Sequence, residues 1–261
     1  MKAKKTLLAL DTATNTATVS VLDMETESVL AHRDAPVRTH GKALATLILE
    51  TLEMAEVAPA DLAGVGCGAG PGSFTGIRIG LATAKGLCLP KNIPLAMISS
   101  LHALACRIAE DPGSSVMKPS KTPTHFLISP CLDARRGEVF FSLVRMINPY
   151  NPQNILPPKA LAPIKAVNAI LNGAEGLGLR ADSRIRVPRL LEDVIGSLSV
   201  DKKKLFVFTE TKPWPSSVAI GKMAIRKIKR GKNDDLATAQ PIYLRPSDAE
   251  KNFKVNLSPG T

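Results

Sequence analysis

Aromatic residues are scarce in this chain: seven Phe, two Tyr and one Trp among 261 residues. A surface that stacks on successive unpaired bases draws on such rings, so their scarcity weighs against a dedicated RNA-binding module. Cysteine is equally sparse. Cys67, Cys88, Cys106 and Cys131 form no CxxC pair, which argues against a zinc ribbon or a disulfide framework and suits a reducing cytoplasm. No window approaches the roughly 18 apolar residues of a membrane span. The opening "MKAKKTLLALDTATNT" imitates the basic region of an export signal. Its apolar run stops at Asp11, short of the roughly 7–15 residues such a signal needs. The expectation is a cytoplasmic protein without a membrane partner. There is no HExxH, and His32, His40 and His125 lack metal-type spacing, so no metal is expected.

What is present begins with charge. The net +11 falls wholly beyond residue 110: residues 1–110 carry ten basic and ten acidic side chains. The densest patch is "GKMAIRKIKRGK", with Lys222, Arg226, Lys227, Lys229, Arg230 and Lys232. A basic helix of this kind reads either as a solvated face or as an electrostatic footprint for RNA.

Periodicity divides the chain into two parts. "TLLALDTATNTATVSVLD" predicts two strands joined by a turn at residues 11–16. "GKALATLILETLEMAEV" predicts a helix starting near Thr39 or His40, and "DLAGVGCGAGPG" a short buried strand running into a glycine loop. Ser73 or Thr75 caps a second helix that ends at Pro90. "IPLAMISS" is a further strand and "SLHALACRIAE" a third helix. This order predicts a mixed α/β layer. "EDPGSSVMKPSKTPT" is the expected linker between a part spanning 1–110 and one spanning 111–261. Beyond it, two strands flank a turn at 133–137, the proline-dense stretch 148–163 is expected to be a loop, and "KAVNAILNG" a short helix ended by Gly173. The basic helix spans about 217–230 and is free to pack back on the first part; the tail 248–261 is expected to fray. A strand–turn–strand opens each half, as a duplicated fold would require.

The stretch "GAGPGSFTGIRIGLATAKG" raises the central question. It fails the GxxxxGK[ST] count of a phosphate-binding P-loop and lacks the lysine. It also fails the dinucleotide fingerprint, because no acidic residue lies between Asp61 and Glu110. Gly76, Gly80 and Ala84 share one helix face at four-residue spacing. Each helical glycine costs roughly 1 kcal/mol against alanine, so several together imply close approach of another backbone, from this chain or a foreign one. In the preceding helix an arc from Ala43 through Leu47, Ile48 and Leu52 to Ala45 is nearly free of charge. It is wide enough for two neighbours, or for burial within one chain.

"GPGSFTGIRIGLATAKGL" closely resembles the signature of the bacterial TsaB family, also called YeaZ, of glycoprotease-like (M22-type) proteins. "LALDTATNTATVSV", "LDARRGEVF" and "PIYLRP" agree in the expected order. The resemblance implies an α/β actin-like ATPase (ASKHA, ribonuclease H-like) fold of two related lobes, with mixed sheets flanked by helices. It implies a non-catalytic subunit that pairs with TsaD, which transfers threonylcarbamoyl to N6 of adenosine 37 in ANN-decoding tRNAs. TsaE joins the complex, tRNA is met through it, and family members also form homodimers. The partner surface it implies lies on residues 41–56 and 73–89. On those helices the expected interface residues are Leu44, Leu47, Ile48 and Thr51, then Phe74, Gly76, Arg78, Gly80, Leu81, Ala84 and Lys85.

In catalytic relatives an HxxxH pair binds a metal; here Ser100 and Leu104 stand in those places, while His102 and Cys106 sit at i, i+4 without a third ligand. The alternative reading is an ATP-using, kinase-like enzyme of the same fold. Its candidate nucleotide contacts are Asp11, Thr12, Gly72 and Ser73, although Asp11 is more plainly read as a turn cap. Arg135 and Arg136 of "DARRGE" are candidate phosphate contacts, or a polar hairpin turn. No cofactor is expected, with ATP or ADP admitted only at a lobe or complex interface.

Overall fold

The computed structural model describes residues 5–36, 40–110, 126–177, 184–210 and 212–245. Strands β1 (Thr6–Asp11), β2 (Thr16–Asp23) and β3 (Val29–Pro36) form an antiparallel meander. After α1 (His40–Met54) come β4 (Leu62–Gly68), α2 (Phe74–Cys88), β5 (Leu95–Ile98) and α3 (Ser100–Ala109). β4 pairs parallel to β1 and β5 parallel to β4, so the first sheet runs β3-β2-β1-β4-β5.

β1 reads TLLALD without alternation because both of its faces are covered. Leu7 and Ala9 pack into one cluster with residues of α3, and Leu8 and Leu10 into another with residues of α1 and α2. All of the expected linker after Glu110 lies outside the described residues, as do Thr39, His125 and the expected tail 248–261.

The second sheet repeats the pattern. It contains β6 (Phe126–Ile128), β7 (Cys131–Arg135), β8 (Glu138–Met146), β9 (Pro152–Leu161), β10 (Ile185–Pro188) and β11 (Phe206–Thr209). α4 (Pro163–Glu175), α5 (Glu192–Gly196) and α6 (Val200–Lys203) connect its later strands. β6 and β8 are antiparallel, β8 and β9 are antiparallel, and β10 joins β6 and β11 in parallel. β9-β8-β6-β10-β11 therefore matches β3-β2-β1-β4-β5 in order and direction, which is the duplication anticipated from the two strand–turn–strand openings. α7 (Ser217–Lys229) then returns to the first sheet, where Ala219, Ile220, Ala224 and Ile225 join the cluster of Leu7 and Ala9.

Three expectations are corrected. β3 was not anticipated: it is an edge strand with only Ala31 buried, so its apolar signal is weak. The proline-dense stretch is largely strand β9, which pairs along the length of β8 opposite β6 and β7. That leaves β9 an outer edge, where a missing N–H breaks no ladder. α4 continues past Gly173 to Glu175; a Cβ on Gly173 would lie 2.9 Å from Leu156 Cδ1, so this glycine permits packing on β9 and does not end the helix.

The small-residue face of α2 is occupied from within. A Cβ on Gly76 would lie 2.1 Å from the Thr12 carbonyl oxygen, and one on Gly80 would lie 2.3 Å from Thr12 Oγ1. The glycines let α2 sit directly on the turn after β1. Gly76→Ala is therefore expected to cost about 1–3 kcal/mol, since a backbone carbonyl has to move. Gly86, with nothing within 4 Å of its would-be Cβ, is expected to gain about 0.5–1 kcal/mol as Ala. Urea unfolding of the two variants checks both signs.

Candidate functional site

The turn 11–16 and the loop 68–73 face each other and lock together. Asp11 is fully buried; its Oδ1 accepts from the Ala13 N–H at 2.7 Å and its Oδ2 from Ser100 Oγ at 2.6 Å. The Gly70 N–H donates to Ser100 Oγ at 3.1 Å, the Ser73 N–H to the Ala13 carbonyl at 2.7 Å, and Thr12 Oγ1 to the Gly76 carbonyl at 2.8 Å. Ser73 caps α2 by accepting from the Gly76 N–H. Loss of water raises the Asp11 carboxyl to about 6, opposed by its hydrogen bonds to Ser100 and Ala13 and by Arg107. Asp11 thus behaves as the turn-capping residue of the plain reading, with both oxygens engaged inward.

The interface residues expected from the resemblance divide by exposure. Leu44, Leu47, Ile48, Thr51, Gly76, Gly80, Leu81 and Ala84 are buried in the isolated chain. They are corrected to core positions, because α1 and α2 turn those faces onto their own sheet. Phe74, Arg78 and Lys85 reach the surface but meet the chain's own extension 232–245. The Arg78 guanidinium lies 3.9 Å from the Phe74 ring centre and donates to Tyr243 Oη at 2.7 Å. The Lys85 ammonium reaches the Ala237 carbonyl at 3.5 Å.

What remains open is the outer face. On α1, Ala45 and Leu49 are exposed, and Met54 at its end; on α2, Thr75, Ala82 and Gly86 are exposed, with Leu89 just beyond. Leu49, Met54 and Leu89 are 59%, 57% and 64% exposed. The sequence signal for this face was the far edge of the uncharged arc at Ala45; Leu49 lies just beyond that edge and was not singled out. The 232–245 extension carried no periodic signal.

The second feature is a cleft of about 920 Å³ between the two sheets. The turn after β1 and the loop before α2 form one wall, the β7–β8 hairpin and the start of α5's approach another, and 213–214 with 242–245 the rim. Gly72 and Ser73 line it; Asp11 and Thr12 do not, which corrects the expected nucleotide contacts. Arg135 lines the cleft and Arg136 does not. Arg135, Arg136 and Gly137 all have positive φ, at 60°, 56° and 74°. Two successive non-glycine residues there cost of order 1–2 kcal/mol each.

Ser100 and Leu104 are buried, and Ser100 is committed to Asp11. His102 Nε2 lies 2.8 Å from Asn154 Oδ1, with burial pulling its pKa down, and the Cys106 thiol is buried and pushed up. Among the described residues no group of three or more His, Cys, Asp and Glu side chains is placed to hold a metal ion. Half of the basic patch is engaged within the chain. Lys222 donates to Tyr150, Arg226 pairs with Glu27 at 3.0 Å and Lys227 with Asp234 at 2.6 Å, leaving Lys229, Arg230 and Lys232 exposed. No helix among the described residues is long and apolar enough to cross a membrane.

Two sheets of like topology facing across a cleft, each with helices, define an actin-like ATPase fold. The fold superposes on YeaZ from Pseudomonas aeruginosa with a TM-score of 0.71 at 21% identity, covering 92% of this chain and all of that one. In sequence the chain is 29% identical over 259 residues to the tRNA threonylcarbamoyladenosine biosynthesis protein TsaB of Bacillus subtilis, spanning 95% of this chain and 97% of that protein. It is 30% identical over 136 residues to the Escherichia coli TsaB protein, where the match spans about half of each (52% and 53%). Residues 34–154 match the family described as TsaD, tRNA N6-adenosine threonylcarbamoyltransferase. The chain is thus similar to TsaB (YeaZ) proteins in sequence over nearly its whole length and in fold.

The Asp11 lock makes a pH prediction. A carboxyl whose folded pKa of about 6 exceeds its unfolded value of 3.8 binds more protons when folded between those limits. Stability therefore falls as pH rises from about 4 to 6, by about 2–3 kcal/mol for this group. Asp11→Asn is expected to remove that step, so its stability relative to wild type rises by this amount between pH 4 and 7.5 in urea titrations. A pH-independent difference would contradict the assignment.

Proposed function

We propose that this chain is a non-catalytic scaffold subunit of the cytoplasmic tRNA threonylcarbamoyladenosine pathway. It docks on TsaD and supports threonylcarbamoyl transfer to N6 of adenosine 37 in ANN-decoding tRNAs, with TsaE joining the pair and tRNA met through the complex. The likeness to TsaB proteins over nearly the whole chain supports the pathway. The single observation that supports the scaffold role is the outer face of α1 and α2, where Leu49, Met54 and Leu89 are more than half exposed beside the small residues Ala45, Ala82 and Gly86. Small residues there let a partner helix approach closely, and the large apolar ones supply the area whose burial drives association. The same face would serve a homodimer when the partner is absent.

The kinase-like alternative finds less support. Such an enzyme needs a carboxylate after the first strand to hold Mg²⁺ and phosphates, and here both Asp11 oxygens are spent on Ala13 and Ser100 beneath the cleft wall.

The test is co-purification with TsaD, with the modified nucleoside assayed in the reconstituted system. Ala84 is fully buried, so Ala84→Arg would unfold α2; Ala82→Arg, on the exposed side of the same helix, is the informative variant. It is expected to keep the wild-type melting temperature and lose TsaD binding by at least about tenfold, the ~1.4 kcal/mol or more that a buried charge costs at an apolar contact. Undiminished modification without this chain, or full TsaD binding by Ala82→Arg, would overturn the proposal.

A further inference from the structure

The two sheets share α3. Its side chains Leu101, Leu104 and Ile108 lie in one cluster with Leu7 and Ala9 of the first sheet and with Phe140, Val144 and Met146 of the second. Apolar contact has no preferred direction, and packed helices can slide past one another. Polar ties are needed to fix the setting of α3 against the second sheet, and they hold it at both ends. Near its start, His102 Nε2 lies 2.8 Å from Asn154 Oδ1 on β9. At its end, Glu110 accepts from the hydroxyl of Tyr150, in the turn between β8 and β9. Positions 102 and 110 are about 12 Å apart along a helix.

Glu110 is the C-cap of α3. A carboxylate there meets the negative end of the helix dipole, so the helix alone does not account for it. Tyr150 does. Its hydroxyl also accepts from Lys222 Nζ of α7 at 2.9 Å. The Lys222 ammonium lies 4.3 Å and the Arg226 guanidinium 5.4 Å from the centre of its ring, within cation–π range. Burial and the Glu110 carboxylate push the Tyr150 pKa up, so the hydroxyl keeps its proton and stays a donor. The turn that carries it is braced: Asn148 Oδ1 accepts from the Tyr150 N–H at 3.2 Å, and the Asn148 carbonyl from the Asn151 N–H at 3.1 Å.

One side chain of the second lobe therefore meets both helices, α3 and α7, that pack with Leu7 and Ala9 of the first. We infer that Tyr150 is a latch that fixes the relative setting of the two lobes by fastening the β8–β9 turn to α3 and α7. The latch lies past the far end of β8 from the β7–β8 hairpin. A nine-residue strand is about 30 Å long, so a small rotation at the latch is magnified at that hairpin. With the hydroxyl bond cut, the apolar contacts around α3 keep the lobes joined but leave them free to shear. This inference concerns the isolated chain and does not depend on docking to TsaD.

The four native cysteines are buried, so nitroxide labels can be directed to Thr75→Cys and Asp193→Cys of the full chain. Both positions are exposed, one on α2 of the first lobe and one on α5 of the second. Pulsed EPR then reads the distance between the lobes, and the labelled parent is expected to give one narrow distribution. Tyr150→Phe keeps the ring and its cation contacts but loses the hydroxyl. It is expected to broaden the distribution and shift its mean, and Tyr150→Phe combined with Asn154→Ala to broaden it further. Val167→Ala, which opens a cavity in the second lobe's own core, controls for lost stability. It is expected to lower the melting temperature at least as far and keep the parent distances. A merely structural hydroxyl predicts a lower melting temperature with unchanged distances. Parent distances in Tyr150→Phe, or equal broadening in Val167→Ala, overturn the inference.

Discussion

The contact between α2 and the turn after β1 is the constraint on which the rest depends. Thr12 meets Gly76 through its carbonyl and Gly80 through its hydroxyl. Because no side chain intervenes, α2 lies close enough for Ser73 to bond Ala13 and for the loop behind it to reach Ser100 and Asp11. That seating fixes one wall of the cleft. It also decides which side of α2 looks outward, and so which residues are left for a partner.

The late helix α7 closes the other side of the same sheet. A Cβ on Gly66 would lie 2.8 Å from Ala224 Cβ, and one on Gly221 would lie 2.4 Å from Leu22 Cδ1, so α7 too is seated by absent side chains. Its cations are then drawn into pairs with Glu27, Asp234 and Tyr150. Much of the chain's positive charge in this segment therefore holds the molecule together, at the half-buried depth where ion pairs contribute more than on an open surface. From there the extension 232–245 runs back along α2, with Asp234 bonding the free edge of β5 through Leu95 and Met97 and Tyr243 stacking on Phe74.

Much of this was legible in the sequence where burial writes a period. The β1–β2 hairpin, α1, β4, α2, β5 and α3 announced themselves through apolar runs, a serine cap at Ser73 and Pro90 as a stop. β3 and β9 did not, because an edge strand is half wetted and tolerates proline, which erases the alternation. The glycine stripe at Gly76, Gly80 and Ala84 was read correctly as a close approach, but glycine spacing carries no record of whose backbone approaches. Leu49 and Leu89 were not singled out for the same reason: hydrophobicity does not distinguish an inner neighbour from an outer one. The cleft was the least legible, since Arg135, Trp214 and Tyr243 are brought together only by the facing of two sheets.

The central claim is that α1 and α2 spend one face on their own sheet and keep the other for a partner. Hydroxyl-radical footprinting of the chain alone and bound to TsaD tests it most directly. The account predicts that oxidation of Met54, Leu49 and Leu89 drops on complex formation while Trp214 and Tyr243 label as before. Unchanged labelling of those three residues, with protection appearing at the cleft instead, would contradict it.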